Sequence, residues 1–287
     1  MPLDSIAEIL ASCSERNLAF WQVVLEADVE ERQVSAGASF EKMRATWRAM
    51  LDSAESYDGG LRSVSGLSGR DGELMRRYAA GGSALGGGYI SEVIATALCV
   101  GESNACMRKI VAAPTAGACG VLPAVLVPLY RRGEREEDIL RALYTAAGIG
   151  AVINSRASIS GAAGGCQAEI GSASAMAAGA LAQLRGGGPE QTANALAMAL
   201  KNLMGLICDP VAGLVEVPCV KRNVIGAVNA VSCADMALAG ITSRIPADEV
   251  IDCMGIVGER LPREFRETAR GGLAATPTGR AAWKKLK

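Results

Sequence analysis

SISGAAGGCQAEIG (residues 158–171) and NLMGLICDPVAGLVEVPCVKRN (residues 202–223) enclose a segment built almost wholly of small side chains. Alanine, the best helix former, dominates that segment, residues 172–201. Helices of this kind gain most of their stability from tertiary packing, and their small side chains let backbones approach closely. The stretch therefore predicts tightly packed helices. Three cysteines lie in it at predicted helix breaks, beside glycine or proline: Cys166, Cys208 and Cys219.

The rest of the chain extends this pattern. Of its 287 residues, 50% are hydrophobic but only 4% are aromatic, so small side chains must form a sizeable core. Apolar spacing predicts about ten helices and no alternating strand. One of these helices is predicted to open at Ser39, while residues 206–223 are predicted to be irregular and residues 271–287 to form a Gly/Thr-rich and then basic tail. The absence of a linker-like composition shift or a repeat predicts one all-α domain over residues 1–287.

Charge and hydropathy bear on the partners and location of the protein. A net charge of −1 gives no basic footprint for nucleic acid. Prolines interrupt the apolar stretch 112–130, and the apolar stretch 142–153 is too short to span a bilayer. Acidic Asp4 and Glu8 stand where a signal peptide carries positive charge. Nine cysteines without such a signal favour a reducing compartment, so we expect a soluble cytoplasmic protein.

The sequence contains no histidine, which excludes several mechanisms. Neither a Ser–His–Asp triad nor a Cys–His dyad nor an HExxH zinc site can be built from this chain. Proton transfer must use other side chains, water or a group from a partner chain.

Two glycine-containing segments are candidates for contact with a ligand. In APTAGACGVLPAVL (residues 113–126), Pro114 ends the preceding element and Thr115, Ala116 and Gly117 form a turn before a new helix. Backbone N–H groups at such a helix start suit a carboxylate. GGSALGGG (residues 81–88) lacks both the GK[ST] ending and the preceding strand of nucleotide-binding loops, so we expect it to lie beside a substrate instead.

The nine cysteines fall into three groups. Cys13, Cys99, Cys233 and Cys253 stand in apolar helical contexts and are expected to be small core residues. Cys106 and Cys119 remain ambiguous. The three cysteines at helix breaks can present sulfur together with free backbone N–H groups, which favours a metal site. Their wide spacing matches no compact CxxC pattern, so spacing alone leaves a metal site open.

Four segments resemble the iron–sulfur-dependent L-serine dehydratase family, and specifically the alpha chain of its two-chain form. The resemblance covers the chain from about Leu67 onward. The segments that carry it are APTAGACGVLPAVL (113–126), SISGAAGGCQAEIGSASAMAAG (158–179), GLICDPVAGLVEVPCVKRN (205–223) and GGLAATPTG (271–279).

This resemblance implies an all-helical catalytic domain around a 4Fe–4S cluster, with Cys166, Cys208 and Cys219 as ligands by motif. It implies deamination of L-serine to pyruvate and ammonia, and a separate beta chain with a small α/β regulatory domain in a hetero-oligomer. Three ligands leave one iron open to act as a Lewis acid for the serine hydroxyl. Single-chain relatives carry a C-terminal cysteine that can reach the cluster, whereas this sequence has none after Cys253.

The general base and the substrate contacts stay open at this stage. Base candidates in this chain are Lys221, Glu169, Asp209 and Glu216, beside a group from the partner chain. For the substrate carboxylate we favour the turn Thr115, Ala116 and Gly117, with Ser83 and Arg222 as secondary candidates. Two alternative functions are a desulfidase acting on L-cysteine and a non-catalytic zinc-binding scaffold.

Overall fold

The computed structural model describes residues 3–286, so Met1, Pro2 and Lys287 of the predicted domain lie outside it. Within the described residues the elements are helical, and the one β-type pairing is an isolated bridge between Cys208 and Arg266. The all-α prediction is therefore confirmed. The thirteen α-helices of residues 3–286 are α1 (Ile6–Arg16), α2 (Phe20–Arg32), α3 (Ala36–Glu55), α4 (Asp71–Ala80), α5 (Gly87–Ala105), α6 (Val121–Arg131), α7 (Glu136–Arg156), α8 (Gly161–Gly164), α9 (Ser172–Leu184), α10 (Pro189–Asn202), α11 (Cys219–Leu238), α12 (Ala247–Arg260) and α13 (Pro277–Lys285).

Helix α9 carries the small-residue segment and packs against α7, α10 and α11. Every residue from Ser172 to Ala182 is buried. A Cβ added at Gly179 would lie only 2.3 Å from Cδ1 of Ile149 in α7 and 3.4 Å from Cγ2 of Thr192 in α10. Only a small side chain permits this approach, which confirms the prediction of closely packed helices.

The boundaries of α3 correct one prediction. The helix begins at Ala36 rather than at Ser39, because Ser35 accepts the capping hydrogen bond from Ala38 N at 3.2 Å. Ser39 is instead buried inside the helix and hydrogen-bonds the Tyr144 hydroxyl. Two serines of equal capping propensity stood close together, and tertiary contacts decided between them.

Two further predictions about irregular segments were wrong in part. Helix α11 begins at Cys219, so residues 219–223 are helical although we predicted an irregular segment to Asn223. The C-terminal tail contains α13, where Thr276 caps Gly279 N at 3.1 Å and Pro277 occupies the first turn. Both starts follow a proline or hydroxyl signal that the surrounding Gly-rich sequence obscured.

Helix length and hydropathy also bear on the membrane prediction. None of the helices in the described part of the chain combines the length and apolar character needed to cross a bilayer.

Candidate functional site

The three cysteines singled out from sequence come from three separate segments. Cys166 precedes a single π-helical turn (Gln167–Gly171) that leads into α9. Cys208 forms the isolated β-bridge with Arg266 of the C-terminal segment, and its N–H donates to Phe265 O at 2.8 Å. Cys219 is the first residue of α11. All three are unpaired by disulfides and buried, with exposed fractions of 2%, 2% and 6%.

These thiols are close enough to influence one another electrostatically. Burial raises the pKa of Cys166 to about 11, and the positive charge of Arg222 opposes that rise. Burial also raises the pKa values of Cys208 and Cys219, and the charges of Cys166 and Glu169 raise both further. Three thiolates beside a carboxylate would repel each other in a dry site, so this donor set is suited to a bound cationic group that compensates them.

The donor set therefore fits an iron–sulfur cluster, whose ligands are cysteine thiolates. No group of three or more Cys, Asp or Glu side chains within residues 3–286 is arranged around a single metal-ion position. The thiolates of a cluster bind different iron atoms, so they need not converge on one point as the ligands of a single ion do.

The turn Thr115–Gly117 forms one wall of the site. It continues as a short 3₁₀ helix (Ala116–Ala118), and Asn223 fixes it by donating to Gly117 O and accepting from Gly120 N, both at 2.8 Å. The backbone N–H groups of Ala116 and Gly117 form no hydrogen bond to a protein acceptor in the described chain. The predicted carboxylate-binding turn thus keeps its donors available.

Glu169 joins this turn to the thiols. Thr115 donates its hydroxyl to Glu169 Oε1 at 2.7 Å. A Cβ added at Gly117 would lie 3.0 Å from the same oxygen, and one added at Gly161 would lie 2.7 Å from Oε2 and 3.3 Å from Cys208 Sγ. Two glycines therefore leave space around a carboxylate that stands beside the Cys208 sulfur. Burial raises the pKa of Glu169.

Arg222 also belongs to the site, and both terminal nitrogens of its guanidinium donate to protein acceptors. Its side chain is 14% exposed, and it donates to Ile207 O and to Asp209 Oδ1 at 2.8 and 2.9 Å. Asp209, another base candidate, is thereby held in a buried ion pair. Glu216 is buried as well and accepts hydrogen bonds from Ser63 and Ser65.

Two predicted site residues lie apart from this arrangement. Lys221 has a side chain that is 71% exposed and pairs with Asp71 at 2.7 Å. It stands two residues after Cys219 on α11, which places it roughly 200° around the helix from that cysteine. Ser83 lies in the exposed loop between α4 and α5. The structure brings neither side chain to the thiols.

Three positioning residues were missed in the sequence. Asn223 holds the Thr115–Gly117 turn from α11, as described above. Gln167 is fully buried and links Gly205 N to Met254 O beside Cys166. Glu102 is 1% exposed and binds the loop before α4. A signal was present for two of them, since Gln167 directly follows Cys166 and Glu102 is a lone charge in the second half of an apolar helix, whereas Asn223 follows Lys221 and Arg222 and does not stand out.

Comparison with known proteins gives a consistent family. Residues 15–274 match the family model described as "Serine dehydratase alpha chain". The "Probable L-serine dehydratase, alpha chain" of Bacillus subtilis is 46% identical over 283 residues, which is 98% of this chain and 94% of the relative. The "L-serine dehydratase, alpha chain" of Peptoniphilus asaccharolyticus is 40% identical over 283 residues, 96% of each chain. "L-serine dehydratase TdcG" of Escherichia coli is 38% identical over 282 residues, 94% of this chain but 61% of the relative.

Proposed function

The chain belongs to the serine dehydratase alpha-chain family, and we propose that Cys166, Cys208 and Cys219 hold a 4Fe–4S cluster at its active site. The activity is that of a lyase that deaminates L-serine to pyruvate and ammonia. One observation supports the cluster most directly. Three free, buried thiols from three segments lie near one another and beside a carboxylate. When bound, a cluster with three cysteine ligands supplies an open iron, a Lewis acid for the leaving hydroxyl.

Glu169 is the proposed general base. Its carboxylate is oriented by the Thr115 hydroxyl and lies beside Cys208, so it can face a substrate placed over the thiols. Burial raises its pKa toward the neutral range in which a general base works best. It would take the α-proton of serine, and loss of the hydroxyl group would then give aminoacrylate. Aminoacrylate tautomerises to the imine, and water hydrolyses the imine to pyruvate and ammonia.

The substrate carboxylate is assigned to the turn at Thr115. Backbone N–H groups of Ala116 and Gly117 are available there, and Gly117 brings them close to Glu169. A carboxylate bound at this point would orient the α-carbon toward Glu169 Oε1. Lys221 and Ser83, whose side chains lie at the surface, are given no role in this proposal.

A beta chain is the proposed partner. The relatives that this chain covers over 94–96% of their length are named alpha chains, whereas the chain spans 61% of the relative named L-serine dehydratase TdcG. We propose a hetero-oligomer in which the beta chain supplies a small α/β regulatory domain. The nine cysteines, none in a disulfide within the described residues, favour a reducing compartment such as the cytoplasm.

The deciding experiment is anaerobic co-expression with a beta chain, followed by measurement of iron, sulfide and pyruvate. We expect bound iron and sulfide, and pyruvate from L-serine. C166A, C208A and C219A should each lose the cluster absorbance and the activity, while C253A, which alters an exposed cysteine, should keep both. Retention of the cluster in all three variants would overturn the ligand assignment. Preferred turnover of L-cysteine, with release of sulfide, would identify a desulfidase instead.

A further inference from the structure

Arg222 connects the segments of two of the three thiols, Cys219 and Cys208. It lies on α11 three residues after Cys219, so it shares a face with that cysteine. It donates to Ile207 O at 2.8 Å and to Asp209 Oδ1 at 2.9 Å, which are the residues on either side of Cys208. Its positive charge also opposes the burial-driven rise in the pKa of Cys166. One planar group on α11 thus hydrogen-bonds to both residues that flank Cys208.

Asp209 carries this link onward to the C-terminal segment. Its second carboxylate oxygen, Oδ2, accepts from Leu273 N at 2.8 Å. Gly272 has φ +55, and a Cβ there would lie 2.4 Å from the same oxygen, so a side chain at this position would displace the carboxylate. The carboxylate side chain is 3% exposed and the guanidinium side chain 14% exposed. Removal of either side chain of this ion pair would leave the other as a buried charge without a counter-charge.

This geometry holds the guanidinium against the protein. Nη1 and Nη2 of Arg222 each donate to a protein acceptor, so both terminal nitrogens of its fork are anchored. The backbone donors of Ala116 and Gly117, in contrast, have no protein acceptor within residues 3–286 and suit the substrate carboxylate better. Gly117 borders Glu169 at Oε1, whereas Gly161, which is next to Cys208 Sγ, borders it at Oε2.

We propose that Arg222, held by Asp209, is a positioning residue that fixes Cys208 relative to Cys219 in the ligand set of the cluster and does not bind the substrate carboxylate. The inference rests on the cluster of the proposed function. The guanidinium ties Cys208 to the helix of Cys219, and it places a fixed positive charge beside ligand sulfurs. Hydrogen bonds and charges around ligand sulfurs set the potential and the stability of such clusters.

The test compares R222K and D209N with the wild-type protein, each co-expressed with the beta chain under anaerobic conditions. Lysine keeps the charge but loses the fork that reaches two acceptors, and asparagine keeps the shape of aspartate but loses its charge. Loss of an outer partner of a metal ligand typically costs about 10- to 100-fold in affinity or activity. We expect a loss of that order in iron affinity and a faster decay of cluster absorbance in air. The KM for L-serine of the loaded fraction should be unchanged.

The matched control is R135K, which alters an exposed Arg–Asp pair of similar length, 2.8 Å to Asp138. It should retain the wild-type cluster and activity. R222K with full iron content and a raised KM would identify Arg222 as the carboxylate-binding residue and overturn the proposal. Wild-type stability of the cluster in both site variants would overturn it too. If the wild-type protein itself holds no iron and sulfide, the proposed function fails first, and the two failures are thereby distinguished.

A second measurement requires no variant. Because Asp209 joins Arg222 to Leu273, removal of iron from the wild-type protein should speed amide hydrogen exchange at residues 271–275. Exchange in α7, which does not take part in these contacts, should change little. Equal exchange at residues 271–275 with and without iron would contradict the proposed link.

Discussion

Glu169 is the residue on which the proposed chemistry depends most. E169Q keeps the size of the side chain and an acceptor for the Thr115 hydroxyl, but it removes the basic oxygen. We expect kcat to fall about 10²–10⁴-fold, the usual contribution of a positioned base. Iron and sulfide content should stay at the wild-type level, since Glu169 is not a proposed ligand. Steady-state pyruvate formation and metal analysis on the same sample test both statements.

The control for this substitution is E137Q, which changes an exposed carboxylate at the start of α7. It should leave kcat unchanged. A loaded E169Q enzyme with wild-type kcat would instead assign the base to another candidate of this chain or to the beta chain, which the absence of histidine in this chain keeps as an alternative.

Gly161 provides the space between Glu169 and Cys208. In G161A the new Cβ would lie 2.7 Å from Glu169 Oε2 and 3.3 Å from Cys208 Sγ, so one of them must move. Because the Thr115 hydroxyl restrains the carboxylate, we expect misplacement of the base and a loss of kcat of about 10²-fold. Kinetics of the iron-loaded protein test this. G37A, where no atom other than Ser35 Oγ lies within 4 Å of the added carbon, should remain fully active.

At the residue scale, sequence reasoning separated the thiols from the other cysteines but did not separate Arg222 from Lys221. The thiols stand in long motifs that define their segments. The two basic residues are neighbours, and their roles depend on the face of α11 to which each points. That face follows from a helix start at Cys219, which Pro218 and the lack of apolar periodicity hid. With the start known, a helical period places Arg222 and Asn223 near Cys219 and Lys221 away from it.

Among the elements, the loop of residues 56–70 is held by two buried carboxylates, Glu216 at Ser63 and Ser65 and Glu102 near both ends. Glu102 of α5 accepts from the Tyr57 hydroxyl and from the backbone N–H groups of Gly69, Asp71 and Gly72, at 2.6 to 3.1 Å. Each oxygen of Glu102 accepts from two of these four donors. In E102Q the side-chain NH₂ group would therefore point at two hydrogen-bond donors in either orientation of the amide. Leaving such buried donors unpaired costs about 1–3 kcal/mol each. We therefore expect a lower thermal midpoint and faster proteolytic cleavage between residues 57 and 70.

The comparison variant for E102Q is E73Q, because Glu73 is paired with Arg77 on the surface of α4. A surface pair of this kind contributes about 1 kcal/mol or less, so both midpoint and cleavage rate should match the wild-type protein. If E102Q were cleaved no faster than E73Q, the loop would owe its order to Glu216 and the serines that it binds.

Element types were predictable because alanine-rich segments with helical spacing have few alternatives. Element starts were less predictable, because capping is a competition among nearby hydroxyl groups that tertiary contacts settle. Ser35 and Ser39 illustrate this at α3, where Ser35 caps the helix while Ser39 is buried and hydrogen-bonds the Tyr144 hydroxyl. Glu102 could be noticed as a lone charge in the second half of an apolar helix, but its four donors come from a loop, whose path the sequence does not specify, and from the first turn of α4.

At the scale of the whole molecule, the site is assembled by a core that does not itself carry the chemistry. Helices α7, α10 and α11 surround α9, and this packing brings the start of α9 beside the start of α11. Two of the three thiols are therefore placed by close helix packing. The third, Cys208, is placed by Arg222 and by its backbone bridge to Phe265 and Glu267. The contacts that place the three thiols therefore come from this chain.

This leads to a prediction about assembly. Because all three thiols and their supporting contacts belong to this chain, the chain expressed without a beta chain should take up iron and sulfide to the same content per chain as the co-expressed pair. Anaerobic reconstitution followed by iron and sulfide analysis measures this, with C208A as the control that should stay unloaded in both preparations. Pyruvate formation by the loaded single chain would then place the base in this chain, and its loss in E169Q would place it at Glu169. A chain that loads only with its partner would show that the partner supplies a ligand or completes the fold around these cysteines.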